Sequence, residues 1–369
     1  MIRLSTLINT FESAFLAQYR HAILPSHRNA LAAMKTCRTE QSSLMQAHCT
    51  DCGQDRFMPH SCGHRLCPHY QHHESQQWLE RQLKKQVPAD YFLVTFTLPA
   101  EFRSLLWSHQ RRLYTRMIQC AWATLRRFSQ NDQQLQGIPG AIAVLHTHSR
   151  RLDYHPHVHV VIPAAAIDTH RHWRTKLSTG KKHYLFNHKA LATVFRGKML
   201  AAITGEGLSL PARYPEQWVV DCKAVGNGEK ALLYLGRYLY KGVIQEKDIL
   251  ACDNGQVTFR YRDSQTKQWA TRTLSGAAFL WLILQHALPR GFRRARNFGF
   301  LHPNSKKLIT VLQYLKGVDP QRMLAWIKHR PSIPCPCCGA PMTIVQTRIR
   351  RKPPRLPDQA LAHLSALVG

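Results

Sequence analysis

Acidic residues are scarce in this chain, and long apolar runs are absent. The 369 residues include 21 Asp and Glu against 51 Lys and Arg, so the net charge is +30 and the pI is near 10.2. No apolar run reaches the roughly 18 residues needed to span a bilayer, and Glu12 interrupts the only candidate for a signal peptide. We therefore expect a soluble intracellular protein with a polyanionic partner. Nucleic acid is the usual partner of this kind, and an anionic membrane surface is the alternative.

Cysteine usage indicates metal binding. Nothing in the sequence points to secretion, and in a reducing compartment clustered cysteines more often bind metal than form disulfides. Of the 11 cysteines, Cys49 and Cys52 have the spacing of a zinc knuckle, in which a tight turn lets two thiolates reach one ion at about 2.3 Å. Cys62 and Cys67 follow at a distance that suits a second ligand pair, and Cys37 precedes them. The alternative is a set of buried, unliganded cysteines, but the surrounding His, Asp and Gln residues would make a poor core. A zinc module is the prediction.

A second, smaller cluster lies near the C-terminus. Cys335 and Cys338 have knuckle spacing, but no clear second pair follows them in the sequence. They would form half a site with His329 or Cys337, or a site across domains.

Hydrophobic periodicity predicts a chain of mixed helices and strands. Helices are expected at 1–35, 74–87, 101–129, 188–203 and 229–241. Strands are expected at 91–97 and 141–148, in a third segment that ends at Ile162, and at 218–222. The basic segment 168–188 is predicted to be an exposed loop or hairpin, either contacting DNA or simply solvated.

Three histidines at alternate positions lead into an apolar run, in the order His155-Pro-His157-Val-His159-Val-Val. Alternate residues of a strand point to one face, so the three imidazoles would line up there. Imidazole is the commonest protein metal ligand. If 150–154 closes a hairpin with residue 148 opposite 155, then His146 faces His157 and joins the group. The alternative is a polar strand end with solvated histidines.

The helix expected at 229–241 carries Tyr234 and Tyr238 one turn apart on one face, with Arg237 beside them and Lys241 one turn further on. A tyrosine hydroxyl can attack a phosphodiester and hold the cut DNA end as a phosphotyrosine. Phenol is a weak nucleophile because its pKa is about 10, and a divalent ion on the histidines would polarise the phosphate. Tyrosines on a helix are more often core residues, but the histidine strand and the charge favour the catalytic interpretation.

A basic segment follows at 290–296. Its arginines alternate with Phe292 and Phe298, a pattern suited to phosphate contacts and base stacking on single strands. A strand with core phenylalanines and solvated arginines is equally compatible, and both interpretations can hold together. The arginines are Arg290, Arg293, Arg294 and Arg296.

Together these motifs resemble the HUH-type, two-tyrosine rolling-circle transposases of insertion-sequence family ninety-one. The resemblance covers nearly the whole chain, and the combination of motifs is specific. It rests on the histidine strand at 155–161, on Tyr234-Leu-Gly-Arg-Tyr238-Leu-Tyr240-Lys241, and on the cysteine-rich segment from Cys37 to Pro68. The strand 92–99, the segment 288–300 and the knuckle at 335–342 also fit the family pattern.

The resemblance implies an α+β fold with an HUH nuclease-like central antiparallel sheet flanked by helices, preceded by a small zinc-binding module and followed by a basic region with a zinc knuckle. The domains would be 1–88, 89–265, 266–330 and 331–369. His157 and His159 would hold Mg²⁺ or Mn²⁺, with His155 or His146 as third ligand, and Tyr234 and Tyr238 would be the nucleophiles. Structural Zn²⁺ would be held by Cys37, Cys49, Cys52, Cys62, Cys67, His69, Cys335 and Cys338.

The same resemblance implies a rolling-circle transposase that nicks and joins single-stranded DNA at insertion-sequence ends and targets. It would act in the bacterial cytoplasm at the nucleoid, with the host replication machinery as a further partner. Its DNA contacts would come from Arg237, Lys241 and the arginines of 290–296. A plasmid relaxase or replication initiator shares this chemistry, and a non-catalytic zinc-dependent DNA-binding regulator is the alternative from another class.

One departure from the family pattern concerns the zinc module. The family usually ends that module with Cys-Pro-x-Cys, whereas this chain has Cys67-Pro-His69-Tyr70. Either His69, His72 or His73 completes the site, or the site binds zinc more weakly. Weaker zinc binding would be consistent with a decayed transposase copy.

Overall fold

A five-stranded antiparallel sheet lies at the centre of the protein, which is described here by a computed structural model. The model describes residues 2–69, 72–176, 185–240, 242–263, 266–319 and 333–350, and within these it leaves out the side chains of 72–74, 237, 238 and 240. Among the described residues the helices are α1 (Leu4–Tyr19), α2 (Pro25–Lys35), α3 (His72–Leu83), α4 (Arg103–Ser108), α5 (Gln110–Asn131), α6 (His188–Gly205), α7 (Glu229–Tyr240), α8 (Gly276–Leu284) and α9 (Lys306–Leu315).

The strands of the described chain fall into four small sheets. They are β1 (Leu44–His48), β2 (Asp55–Pro59), β3 (Tyr91–Thr97), β4 (Ile138–Pro139), β5 (Ala141–His148), β6 (Tyr154–Pro163), β7 (Ala165–Ile167), β8 (Trp173–Thr175), β9 (Val220–Ala224), β10 (Ile249–Asp253), β11 (Gln256–Arg262), β12 (Trp269–Ser275), β13 (Ala295–Phe298), β14 (Ile333–Pro334) and β15 (Pro341–Ile349). The central sheet has the order β13-β5-β6-β3-β9, so the histidine strand β6 is its middle strand. The predicted antiparallel sheet flanked by helices is confirmed.

Side-chain alternation along β6 separates a core face from a site face. Val158, Val160 and Ile162 are buried against α5 and α6. Val161 belongs to the opposite face and packs in a second core with α3 and α7. Because successive side chains of a strand point to opposite sides, His157 and His159 share the face of Val161. The histidines therefore point toward the side of the sheet that α7 covers.

Two helices predicted as single segments are broken in the structure. The segment predicted at 1–35 forms α1 and α2, separated by a turn in which the Ala22 N–H donates to the Tyr19 carbonyl at 2.8 Å. Pro25 then starts α2, a position where its missing N–H is tolerated. The segment predicted at 101–129 is interrupted at His109, whose backbone has φ −126°. A 3₁₀ turn and α4 come before this break, and α5 follows it. Helix α5 then buries Leu113, Met117 and Leu125 on one stripe.

A separate core joins the N-terminal helices to residues 244–287. Helices α1, α2 and α8 pack together beside the sheet β10-β11-β12, with Phe15, Phe259 and Phe279 among the buried residues. The hairpin β11–β12 crosses the domain boundary predicted between 265 and 266, and β13, from the region predicted as 266–330, is an edge strand of the central sheet. In the described part of the chain, no helix has the length and apolarity to cross a membrane.

Candidate active site and metal centres

Three imidazoles meet on the site face of β5 and β6. His146 lies directly opposite His157, as the predicted hairpin requires, and their ligand nitrogens and that of His159 all lie within 4.8 Å of one another. The register was predicted to place residue 148 opposite 155, and this is wrong: His148 pairs with Tyr154, because an irregularity between 146 and 148 shifts the ladder. The cluster therefore consists of His146, His157 and His159.

Hydrogen bonds orient two of these rings. The Nδ1 of His157 donates to the backbone carbonyl of His155 at 2.6 Å, and the Nδ1 of His159 lies 2.8 Å from the hydroxyl of Thr95. With Nδ1 engaged, the Nε2 of each ring is left to bind a metal ion, which is the arrangement that histidine-ligated metals favour. In the strand pairing, Thr95 of β3 lies between His159 of β6 and Asp221 of β9. Sequence reasoning missed Thr95, because only the strand register brings it to His159.

Burial keeps the clustered imidazoles neutral. Desolvation lowers the pKa of His157 to about 3 and that of His159 to about 4, and it lowers the pKa of His146 well below its ordinary value. Asp221 opposes the effect at His159 through its negative charge. A metal ion needs the unprotonated ring, so the donor set fits a divalent ion around neutral pH. The ring of His155 is 5.2 Å from that of His157, centroid to centroid, but its nitrogens do not join the convergent ligand group, and its Nδ1 is 3.1 Å from Nη2 of Arg103.

Tyr234 lies beside the histidine cluster. Its ring centroid is 6.2 Å from that of His146 and 6.0 Å from that of His159, and 48% of the residue is exposed. Burial raises the pKa of the Tyr234 phenol, and the positive charge of Arg150 acts in the opposite direction. The structure thus brings the Tyr234 ring and a candidate metal site together. Tyr238 is on the same helix, but its side chain lies outside the described residues, as do the side chain of Arg237 and all of Lys241.

The opposite face of α7 anchors the helix to α3. Leu232, Leu235 and Leu239 are buried in one core with Trp78. At Gly236 the two helices approach so closely that an added Cβ would lie 3.4 Å from the Trp78 ring. The Ser75 hydroxyl also donates to the Gly236 carbonyl at 3.1 Å. This packing holds the Tyr234 face of α7 toward the sheet.

Four cysteines from the two ends of the chain form one cluster. The Sγ atoms of Cys49 and Cys338 are 3.6 Å apart, and those of Cys52 and Cys335 are 3.5 Å apart. Tetrahedral zinc with bonds of about 2.3 Å needs sulfurs about 3.8 Å apart, so the set fits a four-thiolate zinc site. The interpretation of Cys62 and Cys67 as the second pair of the Cys49 knuckle is wrong, because that pair comes from residues 335–338. Cys335 and Cys338 were predicted to form half a site with His329 or Cys337, or a site shared across domains; the structure shows the shared site.

The two knuckles have the same backbone geometry. In each, the first cysteine's carbonyl accepts from the glycine that follows the second cysteine, at 2.9 Å in both cases. Those glycines, Gly53 and Gly339, have φ +69° and +76°, a region that disfavours side chains. Strand β1 pairs with both β2 and β15, and β15 pairs with β14, so the knuckle turns lie at matching ends of two joined hairpins.

Cys37, Cys62 and Cys67 form a second, separate cluster. Cys37 and Cys67 have their sulfurs 3.3 Å apart, and hydrogen bonds from the other two thiols lower the pKa of Cys37. His69 is not one of the grouped ligands; its Nε2 lies 2.9 Å from a carboxylate oxygen of Glu246. The side chains of His72 and His73, and all of Tyr70, lie outside the described residues. Three cysteine sulfurs are thus in place to bind a second zinc ion.

The basic segment at 290–296 packs against the body of the protein. Phe292 is 3% exposed, and Phe298 stacks on Trp122 with centroids 5.0 Å apart, so neither ring is presented to bases as the stacking interpretation required. Arg296 donates to the Thr115 hydroxyl at 3.1 Å. Arg294 lies near the histidine cluster, where its charge contributes to the lowered pKa of His146 and His148. Among these arginines the exposed ones are Arg290 and Arg293.

Comparison with known proteins gives two family matches. Residues 140–308 match a family described as "Putative transposase", and residues 7–98 match one described as "Transposase zinc-binding domain". The first match contains the histidine cluster and Tyr234, whereas Cys335 and Cys338 lie outside both.

Two relatives resemble most of the chain. "Putative transposase y4qJ" of Sinorhizobium fredii is 28% identical over 319 residues, which cover 80% of this chain and 79% of the relative. "Transposase for insertion sequence element IS801" of Pseudomonas savastanoi pv. phaseolicola is 27% identical over 292 residues, which cover 73% of this chain and 68% of that protein.

Proposed function

Because the chain belongs to the transposases of insertion-sequence family ninety-one, with an N-terminal zinc-binding domain, we propose that it nicks and joins single-stranded DNA through 5′-phosphotyrosine intermediates. The observation that carries this proposal is the position of Tyr234, about 6 Å ring to ring from His146 and His159. A phosphodiester placed between the phenol and the imidazoles would contact both the nucleophile and the metal centre.

The proposed step exchanges one phosphate ester for another. The Tyr234 oxygen forms a bond to phosphorus while the bond to the 3′ oxygen breaks; the phenol gives up its proton and the 3′ oxygen gains one. The protein keeps the 5′ end as a phosphotyrosine, so no water enters and the ester can be transferred again. When bound to His146, His157 and His159, Mg²⁺ or Mn²⁺ would stabilise negative charge on the phosphate and the leaving oxygen.

Positive charge near Tyr234 supports the binding of a DNA backbone. Arg150 acts on the pKa of Tyr234, and Arg294 acts on that of His146, so both cations lie close to the place where the phosphate would sit. Lys and Arg beside a reacting phosphate position it and offset its charge. Tyr238, one turn after Tyr234, is assigned the second nucleophile, which accepts a second strand while the first remains attached. Arg237 and Lys241 are assigned contacts to the DNA backbone.

A covalent-adduct assay tests the function. The protein is incubated with labelled single-stranded DNA from the flanks of its own gene, with and without Mn²⁺, and run on a denaturing gel. We expect a shifted band that needs the metal and disappears in the Tyr234→Phe, Tyr238→Phe double variant. Tyr314→Phe is the matched control, because Tyr314 lies on α9 with 86% of its surface exposed.

Tight binding to the same DNA without any adduct would contradict the proposed chemistry. That result would favour a zinc-dependent DNA-binding regulator or a decayed transposase. An adduct that persists in the double tyrosine variant would place the nucleophile elsewhere.

A further inference from the structure

Tyr234 lines a cavity of about 680 Å³ that the histidine cluster does not share. Its other walls are the turn between β5 and β6, the segment 242–245 and the hairpin β11–β12. The size falls within the usual range of ligand pockets, about 300–1,000 Å³. The hairpin is fully paired from Gln256 with Ser275 to Arg262 with Trp269, so this wall is a regular sheet rather than a loose loop. The cavity therefore has a preformed wall beside the proposed nucleophile.

An exposed indole lies on this wall. Trp269 keeps 62% of its surface exposed, although the guanidinium of Arg260 lies 4.8 Å from its ring centroid. Asp248 holds Arg260 in place through an Nε to Oδ1 contact of 2.9 Å. The cation therefore supports one face of the indole, and the exposed area is left for another flat group. A single exposed aromatic is ordinary on a protein surface, but this one shares its cavity with a candidate nucleophile.

The cavity is also positively charged. Its lining includes Arg150, Arg260, Arg262 and Lys267 against one carboxylate, that of Asp248, and this carboxylate is paired with Arg260. Arg150 and Arg262 are both exposed. Nearby, Asp153 is paired with Arg272 at 2.8 Å, so its negative charge is offset as well. A polyanion is the ligand that this balance favours.

We propose that this cavity binds single-stranded DNA next to the scissile phosphate, with one base stacked on Trp269 and the adjoining phosphates near Arg150 and Arg262. The assignment rests on the proposed function, because it takes Tyr234 as the nucleophile. Stacking on an aromatic face combined with a basic groove is the usual way in which proteins hold unpaired nucleotides without reading their sequence. A duplex would gain nothing from Trp269, because its bases already stack on one another. The cavity thus selects for unpaired DNA at the cleavage position.

Binding measurements separate this proposal from the chemistry. Fluorescence anisotropy of a labelled single strand is measured with the full-length chain in the Tyr234→Phe, Tyr238→Phe background, which stops cleavage. Adding Trp269→Ala should weaken binding at least about fivefold, the lower end of base–aromatic stacking, whereas Trp269→Phe should retain most of the affinity. Tyr314→Ala is the matched control, an exposed aromatic that does not line the cavity. Thermal unfolding checks that each variant is folded.

A second measurement needs no variant at position 269. Single strands carrying 5-iodouracil are cross-linked to the wild-type protein by light, and the attached peptide is identified by mass spectrometry. We expect the cross-link in 256–275 for a base near the cleavage position.

Two results would overturn the proposal. One is single-strand affinity of Trp269→Ala within about twofold of its parent, with no cross-link in the hairpin. The other is an equal loss of affinity for duplex DNA, because stacking requires unpaired bases. If Tyr234 forms no adduct but Trp269→Ala still weakens single-strand binding, the proposed chemistry is contradicted and DNA binding in the cavity is supported. If Tyr234 forms the adduct but Trp269→Ala leaves single-strand binding unchanged, only the proposed binding in the cavity is contradicted.

Discussion

The candidate metal site depends on contacts made by single residues around the imidazoles. The carbonyl of His155 and the hydroxyl of Thr95 engage the Nδ1 atoms of His157 and His159. His155 thus contributes its backbone rather than its ring to the site, because its imidazole contacts Arg103. Partners of this kind fix the direction of a ligand, and their loss typically costs 10- to 100-fold in metal affinity or activity.

The third ligand of the proposed Mg²⁺ or Mn²⁺ site can be identified by substitution. His146→Ala should lower the affinity for Mn²⁺ by more than about tenfold, because it removes one of three convergent nitrogens. His155→Ala should change the affinity little, because its ring lies outside the cluster. Isothermal titration with Mn²⁺, on protein already loaded with zinc, measures both. A large loss in His155→Ala with none in His146→Ala would reverse the assignment.

At this scale, the sequence predicts which residues are candidates but not which of them meet. The alternating histidines reveal the ligands of β6, since strand alternation is a local property. His146 becomes a neighbour only through the hairpin register, and the predicted register failed at residue 148 because of the local irregularity there. Thr95 and Trp269 have no distinguishing pattern, because their roles come from strands and cavities formed by distant segments.

Among the secondary-structure elements, the knuckle turns and the strand pairing each contribute to the four-cysteine site. Each knuckle is built by its own hairpin turn with a left-handed glycine, but neither pair of thiolates can complete a tetrahedral site alone. The pairing of β1 with β15 brings the pairs together. Zinc at this site would tie 333–350 to the N-terminal module.

Zinc content tests this arrangement. We expect about two zinc ions per chain, and about one after Cys335→Ser with Cys338→Ser, because these changes remove half of one four-thiolate site. Limited proteolysis should then cut the variant within 333–350 faster than the wild type. Mass spectrometry of the metal content gives the count, and Cys337→Ser is the control, an exposed cysteine outside the cluster. Unchanged zinc content in the double variant would contradict the shared site.

Element boundaries were predictable where the local signal was strong. The strands β3 and β5 have the predicted bounds, because a β-branched or apolar run ended at a turn residue in each case. The helix predicted at 101–129 was a single element in the sequence pattern, since no Gly or Pro marks the break at His109. The partner of each cysteine pair was not predictable, because the knuckle spacing is the same in both.

Several histidines are buried in the part of the chain that the structure describes. Burial lowers the pKa of His27 and His148, which are not ligands in the histidine cluster, to about 4, and it lowers that of His286 well below its ordinary value. His27 is fully buried beside Trp107 and Trp281, and its Nδ1 accepts the Leu24 N–H at 3.1 Å. Protonation of these rings therefore opposes folding.

Stability should consequently fall in mild acid. The folded-state pKa of His27 is below its unfolded value of 6.5, so the unfolded state binds more protons between the two values. The contribution of His27 to the free energy of unfolding is therefore complete above pH 6.5 and is lost as the pH falls toward about 4. Each such group contributes a slope of at most about 1.4 kcal/mol per pH unit. Thermal unfolding between pH 7.5 and pH 5 measures it. His27→Gln, whose amide oxygen can accept the same N–H, should show a shallower decline; an equal or steeper one would contradict this account.

The sequence by itself determined the local features: the charge, the alternating histidines, the helix with its tyrosines and the two knuckle turns. Each of these depends on residues a few positions apart, and periodicity and spacing record such relations directly. Only the tertiary structure decided that His146 completes the cluster, that Cys49 and Cys52 share a site with Cys335 and Cys338, and that Trp269 lies in the cavity of Tyr234. These relations join segments far apart in the chain, and they arise from strand pairing and core packing that no short pattern contains.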